Sequence, residues 1–270
     1  MGGLALLTIF VLVAAGSRKR SSSSGGASSR PQPQDNGDNG DNELRICEGV
    51  YLDGGTFEGM EYLEIVTGGA DPDEYLPMII ALHGLGQDKE YLADKLSDFP
   101  LPARIIIPDA FYDRGDGLDG RKWWKGYSPQ GFQAFLAEAI PAASDKLAAF
   151  VAELPDCVPT IGDPIIAGHS QGGYVALDFA ASWPELVSAS VPSAAWRPEA
   201  LWDIEPGVPV FAIHGTKDDG VPYDRSLDYY QEMSDRGLDV YLDSTSGAHS
   251  LSSTNLAAWY DALADALEYA

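Results

Sequence analysis

Between residue 44 and the C-terminus, short aliphatic runs alternate with longer amphipathic stretches. Residues 76–82, Leu-Pro-Met-Ile-Ile-Ala-Leu, are apolar almost throughout and not only at every second position. That is the pattern of a strand covered on both faces. Further buried strands are expected at 104–108, 164–167, 186–191, 208–213 and 238–242, with an antiparallel pair at 49–53 and 61–67 around a Gly-rich turn. Helical patterns predict helices over 90–97, 129–154, 171–182, 223–236 and 254–269. Strands and helices alternating in this order imply an α/β fold, a mostly parallel central sheet flanked by helices.

The first 43 residues break the pattern. Residues 2–15 form an apolar run, shorter than the roughly 20 residues that span a bilayer. The run ends in Val13-Ala14-Ala15-Gly16-Ser17, small residues of the kind found at a signal-peptidase site. A signal peptide over residues 1–16 is therefore expected. A short signal-anchor is the alternative, because the basic cluster Arg18-Lys19-Arg20 follows the apolar run instead of preceding it. The signal peptide, the leading reading, sends the remainder out, secreted or to the periplasm or cell envelope; the signal-anchor leaves the basic cluster on the cytoplasmic side. Residues 17–43 are rich in Ser, Pro, Asp and Asn, cannot bury apolar surface and read as a disordered linker. Asp35, Asp38 and Asp41 read there as part of a solvated tether in preference to a calcium site. Residues 44–270 suit one domain with a sizeable core.

Composition narrows the partners. With 41 acidic against 17 basic residues the formal charge is −24. No basic stripe is present to meet phosphate, so nucleic acid is not expected as a partner. An acidic surface also disfavours anionic membranes and polyanionic substrates, leaving neutral small molecules, and no stable membrane insertion of the domain is expected. The two cysteines, Cys47 and Cys157, suggest one disulfide in an exported protein and two free thiols in a cytoplasmic one.

The chemistry concentrates at one turn. Strand residues 164–167 run directly into Gly168-His169-Ser170-Gln171-Gly172-Gly173, a G-x-S-x-G between a buried strand and a helix. A serine on so sharp a turn stands clear of the sheet edge, and only small residues fit two positions to either side. Its hydroxyl needs a general base, and there are four histidines. His83 and His214 each end a strand in His-Gly, and His169 lies inside the turn itself. His249, in the loop between the last strand and the last helix, is left as the base. A carboxylate should follow the penultimate strand to hold that imidazole. Asp218 and Asp219 both qualify by position, Asp218 being favoured. Two backbone N–H groups should face the developing oxyanion: Gln171, directly after the nucleophile, and Leu85 in the His83-Gly84-Leu85-Gly86-Gln87 turn. No H-x-x-H or H-E-x-x-H spacing suggests a metal. Aromatic residues between 109 and 127 include Trp123 and Trp124, which would either wall an acyl-binding site or pack the loop down.

These pieces, His83-Gly84-Leu85-Gly86, Gly168 to Gly173, His214-Gly215 with Asp218 and Val221-Pro222, and His249-Ser250, resemble the phospholipase/carboxylesterase family of α/β-hydrolases, which includes the acyl-protein thioesterases. The resemblance spans about residue 76 to the C-terminus. It implies an α/β-hydrolase fold without a large cap domain, no metal and no cofactor. It also implies cleavage of short acyl esters, lysophospholipids or thioesters through an acyl-serine, and it supports Asp218 over Asp219. Two features depart from the cytoplasmic thioesterases: the apolar N-terminal segment, and Gln87 where Asp is common. Secreted polyester-depolymerising and feruloyl-type esterases share the same machinery. A non-catalytic binding protein on this fold is the reading from another class. Such proteins usually lack a triad residue, whereas here all three positions are filled.

Overall fold

In the computed structural model, which describes residues 47–270 except 52, 116 and 127–130, the apolar run at 76–82 divides its side chains between two cores. Met78, Ile80 and Leu82 enter one, Ile79 and Ala81 the other. Strict alternation on a strand apolar on both faces puts half its bulk on each side of the sheet. The expected signal segment, the linker and the acidic triplet at 35–41 lie outside the described residues.

The strands are β1 (Gly54–Phe57), β2 (Met60–Val66), β3 (Leu76–Leu82), β4 (Arg104–Pro108), β5 (Tyr112–Gly115), β6 (Leu118–Lys122), β7 (Thr160–His169), β8 (Ala189–Ser193), β9 (Val210–Gly215) and β10 (Val240–Thr245). The helices are α1 (Lys89–Leu96), α2 (Phe132–Cys157), α3 (Gln171–Ser182), α4 (Tyr223–Asp235) and α5 (Ser253–Ala266). Eight strands form one sheet in the order β1-β2-β4-β3-β7-β8-β9-β10. β2 runs antiparallel to both its neighbours, and every other pairing is parallel. Residues of α2, α3 and α4 share a core on one face, and α1 and α5 pack on the other. From β3 the chain crosses outward to β4, and from β7 it proceeds the opposite way. The carboxyl ends of β3 and β7 therefore flank a topological switch point, where open α/β sheets bind ligands.

Three differences from the sequence expectation have local causes. The first hairpin turns at Glu58-Gly59, both left-handed (φ 48° and 73°), so its first strand is 54–57 and not 49–53. Two left-handed residues match the twist of the strands they join. The strand expected from 186 begins at Ala189, because Pro184 nucleates a 3-10 turn over Pro184–Leu186. Residues 112–115 and 118–122, polar and Gly-rich, pair as the separate β5–β6 hairpin where a loop was expected. The start predicted for α2, at residue 129, lies outside the described residues.

Cys47 and Cys157 are joined by a disulfide with Cα atoms 5.3 Å apart, tying the segment before β1 to the last residue of α2.

Candidate active site

β7 delivers Ser170 to the switch point, and the residue is held at φ 53°, ψ −117° as the N-cap of α3. Left-handed backbone is costly for a side-chain-bearing residue and is kept where the surroundings enforce it. The enforcement comes from close main-chain contacts. A Cβ at Gly168 would lie 2.2 Å from the Gly172 carbonyl oxygen, one at Gly172 2.2 Å from that of Leu82, and one at Gly173 2.5 Å from that of Ser193. The Ser170 N–H donates to the Ser193 carbonyl at 2.9 Å.

His249 Nε2 lies 2.9 Å from Ser170 Oγ, and His249 Nδ1 lies 2.8 Å from Asp218 Oδ2. The carboxylate can only accept at Nδ1, which leaves Nε2 as an acceptor for the serine hydroxyl. The loops carrying the two partners are zipped together: Thr216 N–H donates to Thr245 O at 2.9 Å and Lys217 N–H to Gly247 O at 3.0 Å. Asp219 is exposed, whereas the Asp218 side chain is fully buried. Burial alone would raise the Asp218 carboxyl. Hydrogen bonds from His214, His249 and the Val221 amide outweigh it and hold the group well below the usual carboxylate range.

His214 and Asn255 were not singled out for the site by sequence. His214 Nε2 sits 3.1 Å from Asp218 Oδ2 and 3.0 Å from Val221 O, two acceptors, so this nitrogen carries a proton. Buried Asn255 on α5 donates through Nδ2 to the carbonyls of Ala248 and Ser250, each at 2.7 Å, bracketing His249. His169 is buried under the His249 ring, centroids 5.4 Å apart, and desolvation pushes its pKa down to about 3. Burial also lowers His83. Its Nδ1 faces Gly84 O, and its Nε2 accepts from the Ala110 N–H.

The turn after β3 presses against Ser170: a Cβ at Gly84 would be 3.3 Å from Ser170 Cβ. Gly84 N–H donates to Gln87 Oε1 at 2.7 Å, and Gly86 N–H, in left-handed backbone, donates to Arg121 O at 2.8 Å. Between them the Leu85 N–H takes no protein acceptor among the described residues, and neither does that of Gln171. Gln87 thus caps the turn with a side-chain carbonyl oxygen. Two free amides at a helix N-terminus and a tight turn, both beside a serine with a base, can stabilise negative charge on a carbonyl oxygen under attack.

Trp123 and Trp124 are both buried. The Trp123 ring packs on His83 and edge-on to Phe111, and Trp124 packs on Tyr174. Behind them, against α2, is an open cavity of about 260 Å³ also lined by Tyr112, Phe135 and Lys146. Among the described residues, no cluster of three or more His, Cys, Asp or Glu is arranged to hold a metal ion. No described helix is long and apolar enough to cross a membrane.

The family model described as Phospholipase/Carboxylesterase matches residues 61–266. Among solved structures, the chain is similar to an esterase, PE8 (24% identity, TM-score 0.63, covering 74% of this chain and 98% of that one). It is also similar to Zea mays acyl-protein thioesterase 2 (21%, 0.58, 76% and 98%) and to a Bacillus cereus carboxylesterase (17%, 0.60, 75% and 93%). No curated protein matches the chain.

Proposed function

Because the chain belongs to the phospholipase/carboxylesterase family and is a carboxylic ester hydrolase, we propose that Ser170, His249 and Asp218 are its catalytic triad and the Leu85 and Gln171 amides its oxyanion hole. The observation carrying this reading is the unbroken hydrogen-bonded line from Ser170 Oγ through His249 to Asp218, at 2.9 and 2.8 Å. Ser170 Oγ attacks the acyl carbon while His249 Nε2 takes the hydroxyl proton, and Asp218 stabilises the resulting imidazolium. The carbonyl oxygen, now anionic, accepts from the two amides. Collapse expels the alcohol or thiol, protonated by His249, and leaves acyl-Ser170. A water molecule, deprotonated by His249, then attacks the acyl carbon. The second collapse returns the serine hydroxyl and a carboxylic acid.

Neutral esters suit the −24 charge. Short acyl esters head the substrate classes, followed by lysophospholipids and thioesters. A secreted polyester- or feruloyl-type esterase is the second reading. The Cys47–Cys157 disulfide supports it, as does the signal-like N-terminus, since both belong to an oxidising, exported setting. Ser170→Ala should lower turnover of p-nitrophenyl butyrate by about 10³-fold or more and abolish fluorophosphonate labelling with the fold intact. Retained turnover would overturn the triad. Rates over an ester chain-length series, with a thioester, a lysophospholipid and a feruloyl ester included, rank the substrate classes.

A further inference from the structure

The two free amides belong to segments far apart in the chain. Among the described residues, no hydrogen bond joins 84–87 directly to 170–173. Trp123 bonds to both sides. Its main-chain N–H donates to Gln171 Oε1 at 3.0 Å, and its indole Nε1–H donates to His83 O at 2.8 Å. The preceding strand, β6, adds a two-way clamp on the same turn. Arg121 N–H donates to Gln87 O at 2.7 Å and Arg121 O accepts from Gly86 N–H at 2.8 Å. The approach is so close that a Cβ on Gly120 would stand 2.3 Å from Gly86 O. Arg121 Nε in turn donates to Ala110 O, anchoring the hairpin to the end of β4.

We infer that the β5–β6 hairpin sets the spacing of the oxyanion hole through Trp123, a positioning residue that holds Gln171 with its main chain and the turn before Leu85 with its indole. The inference rests on the reading of Ser170 as nucleophile. The chemistry asks for this kind of support, because oxyanion donors act at full strength only when they are fixed where the charge will appear. The turn's own bonds run between Gly84 and Gln87, and its left-handed Gly86 is held from outside, by Arg121. The bonds from Trp123 and the main chain of Arg121 reach the Gln171 side chain, His83, Gly86 and Gln87, and none uses up the two free amides.

The test is kinetic. Trp123→Phe keeps an aromatic ring and removes the Nε1–H donor. Gln171→Met keeps the oxyanion amide and removes the Oε1 acceptor. Each should lower kcat on p-nitrophenyl butyrate about tenfold or more while KM stays within about twofold, the signature of stabilisation made only in the transition state. Inhibition by a trifluoromethyl ketone, whose adduct with Ser170 places an oxyanion in the hole, should weaken by the same factor as kcat/KM. The double variant should lose less than the product of the two single losses. If both variants retain the parent kcat, or if trifluoromethyl ketone binding is unchanged while the melting temperature falls, the inference is overturned. Should Trp123→Phe fail to fold, Gln171→Met decides alone. Ser170→Ala, run in parallel, separates the two levels: activity in that variant overturns the triad itself, and its inactivity beside a normal Trp123→Phe and a normal Gln171→Met overturns only the positioning role.

Discussion

At the scale of single residues, the Asp218 carboxylate accepts four hydrogen bonds. Oδ2 takes the His249 and His214 rings, and Oδ1 takes the Gly220 and Val221 amides at 2.9 and 2.7 Å. A carboxylate so surrounded has neither room nor reason to rotate, which fixes the face His249 presents to Ser170. Asn255 does for the base what the amides do for the acid, by gripping the carbonyls on either side of His249. Asn255→Ala should leave those carbonyls without their donor and let the loop drift. Turnover and the rate of fluorophosphonate labelling are both expected to fall about tenfold or more. Equal labelling rates in the variant and the parent would show that the loop holds itself. The meeting of Ser170 with His249 was legible in the sequence because the proposed chemistry dictates their neighbours: the glycines around one, and a place after the last strand for the other. Asp218 was favoured over Asp219 by position and resemblance. His214 reads in the sequence only as the end of a strand before Gly215. Asn255 left no local signal, since its partners are main-chain carbonyls that every residue possesses.

At the scale of elements, apolar runs found seven strands of the large sheet and the five helices, with ends displaced by a few residues where a turn had its own preference, whereas β1 lies wholly beyond the 49–53 expected for it. The β5–β6 hairpin escaped because it buries little of its own surface. Its sequence, Tyr-Asp-Arg-Gly on one strand and Leu-Asp-Gly-Arg-Lys on the other, has no apolar face to read, and its fixed points are main-chain bonds to another turn. Asp218 and His249 come from loops after adjacent parallel strands, β9 and β10, which is why residues 31 apart in sequence meet at 2.8 Å. The disulfide joins elements separated by 110 residues. A cross-link over so long a loop restricts the unfolded chain by about 4–5 kcal/mol in the chain-entropy account. Reduction should therefore move the urea midpoint well down. Identical midpoints before and after reduction would mean that the cross-link adds nothing to the stability of the fold.

For the molecule as a whole, pH should act through groups that burial keeps uncharged. His83 and His169 both have lowered pKa values in the fold, that of His169 about 3. A histidine in the unfolded chain titrates near 6.5. Their contribution to stability is thus complete above about pH 6.5 and is lost as the pH falls, by up to about 1.4 kcal/mol per pH unit for each histidine. For His169 the window extends down to about pH 3. Asp218, lowered in the fold, adds a second loss as the pH drops below the ordinary aspartate value of about 3.9. Urea midpoints should fall between pH 7 and pH 5, and a flat profile there would contradict the burial argument. The order of elements along the chain has one more consequence. A growing polypeptide acquires its hydroxyl at 170 and its carboxylate at 218, but the imidazole that would waken the hydroxyl waits until 249, in a loop pinned by a helix made later still. On the proposed triad, Ser170 therefore has no base until His249 and the helix that pins its loop have been made and docked.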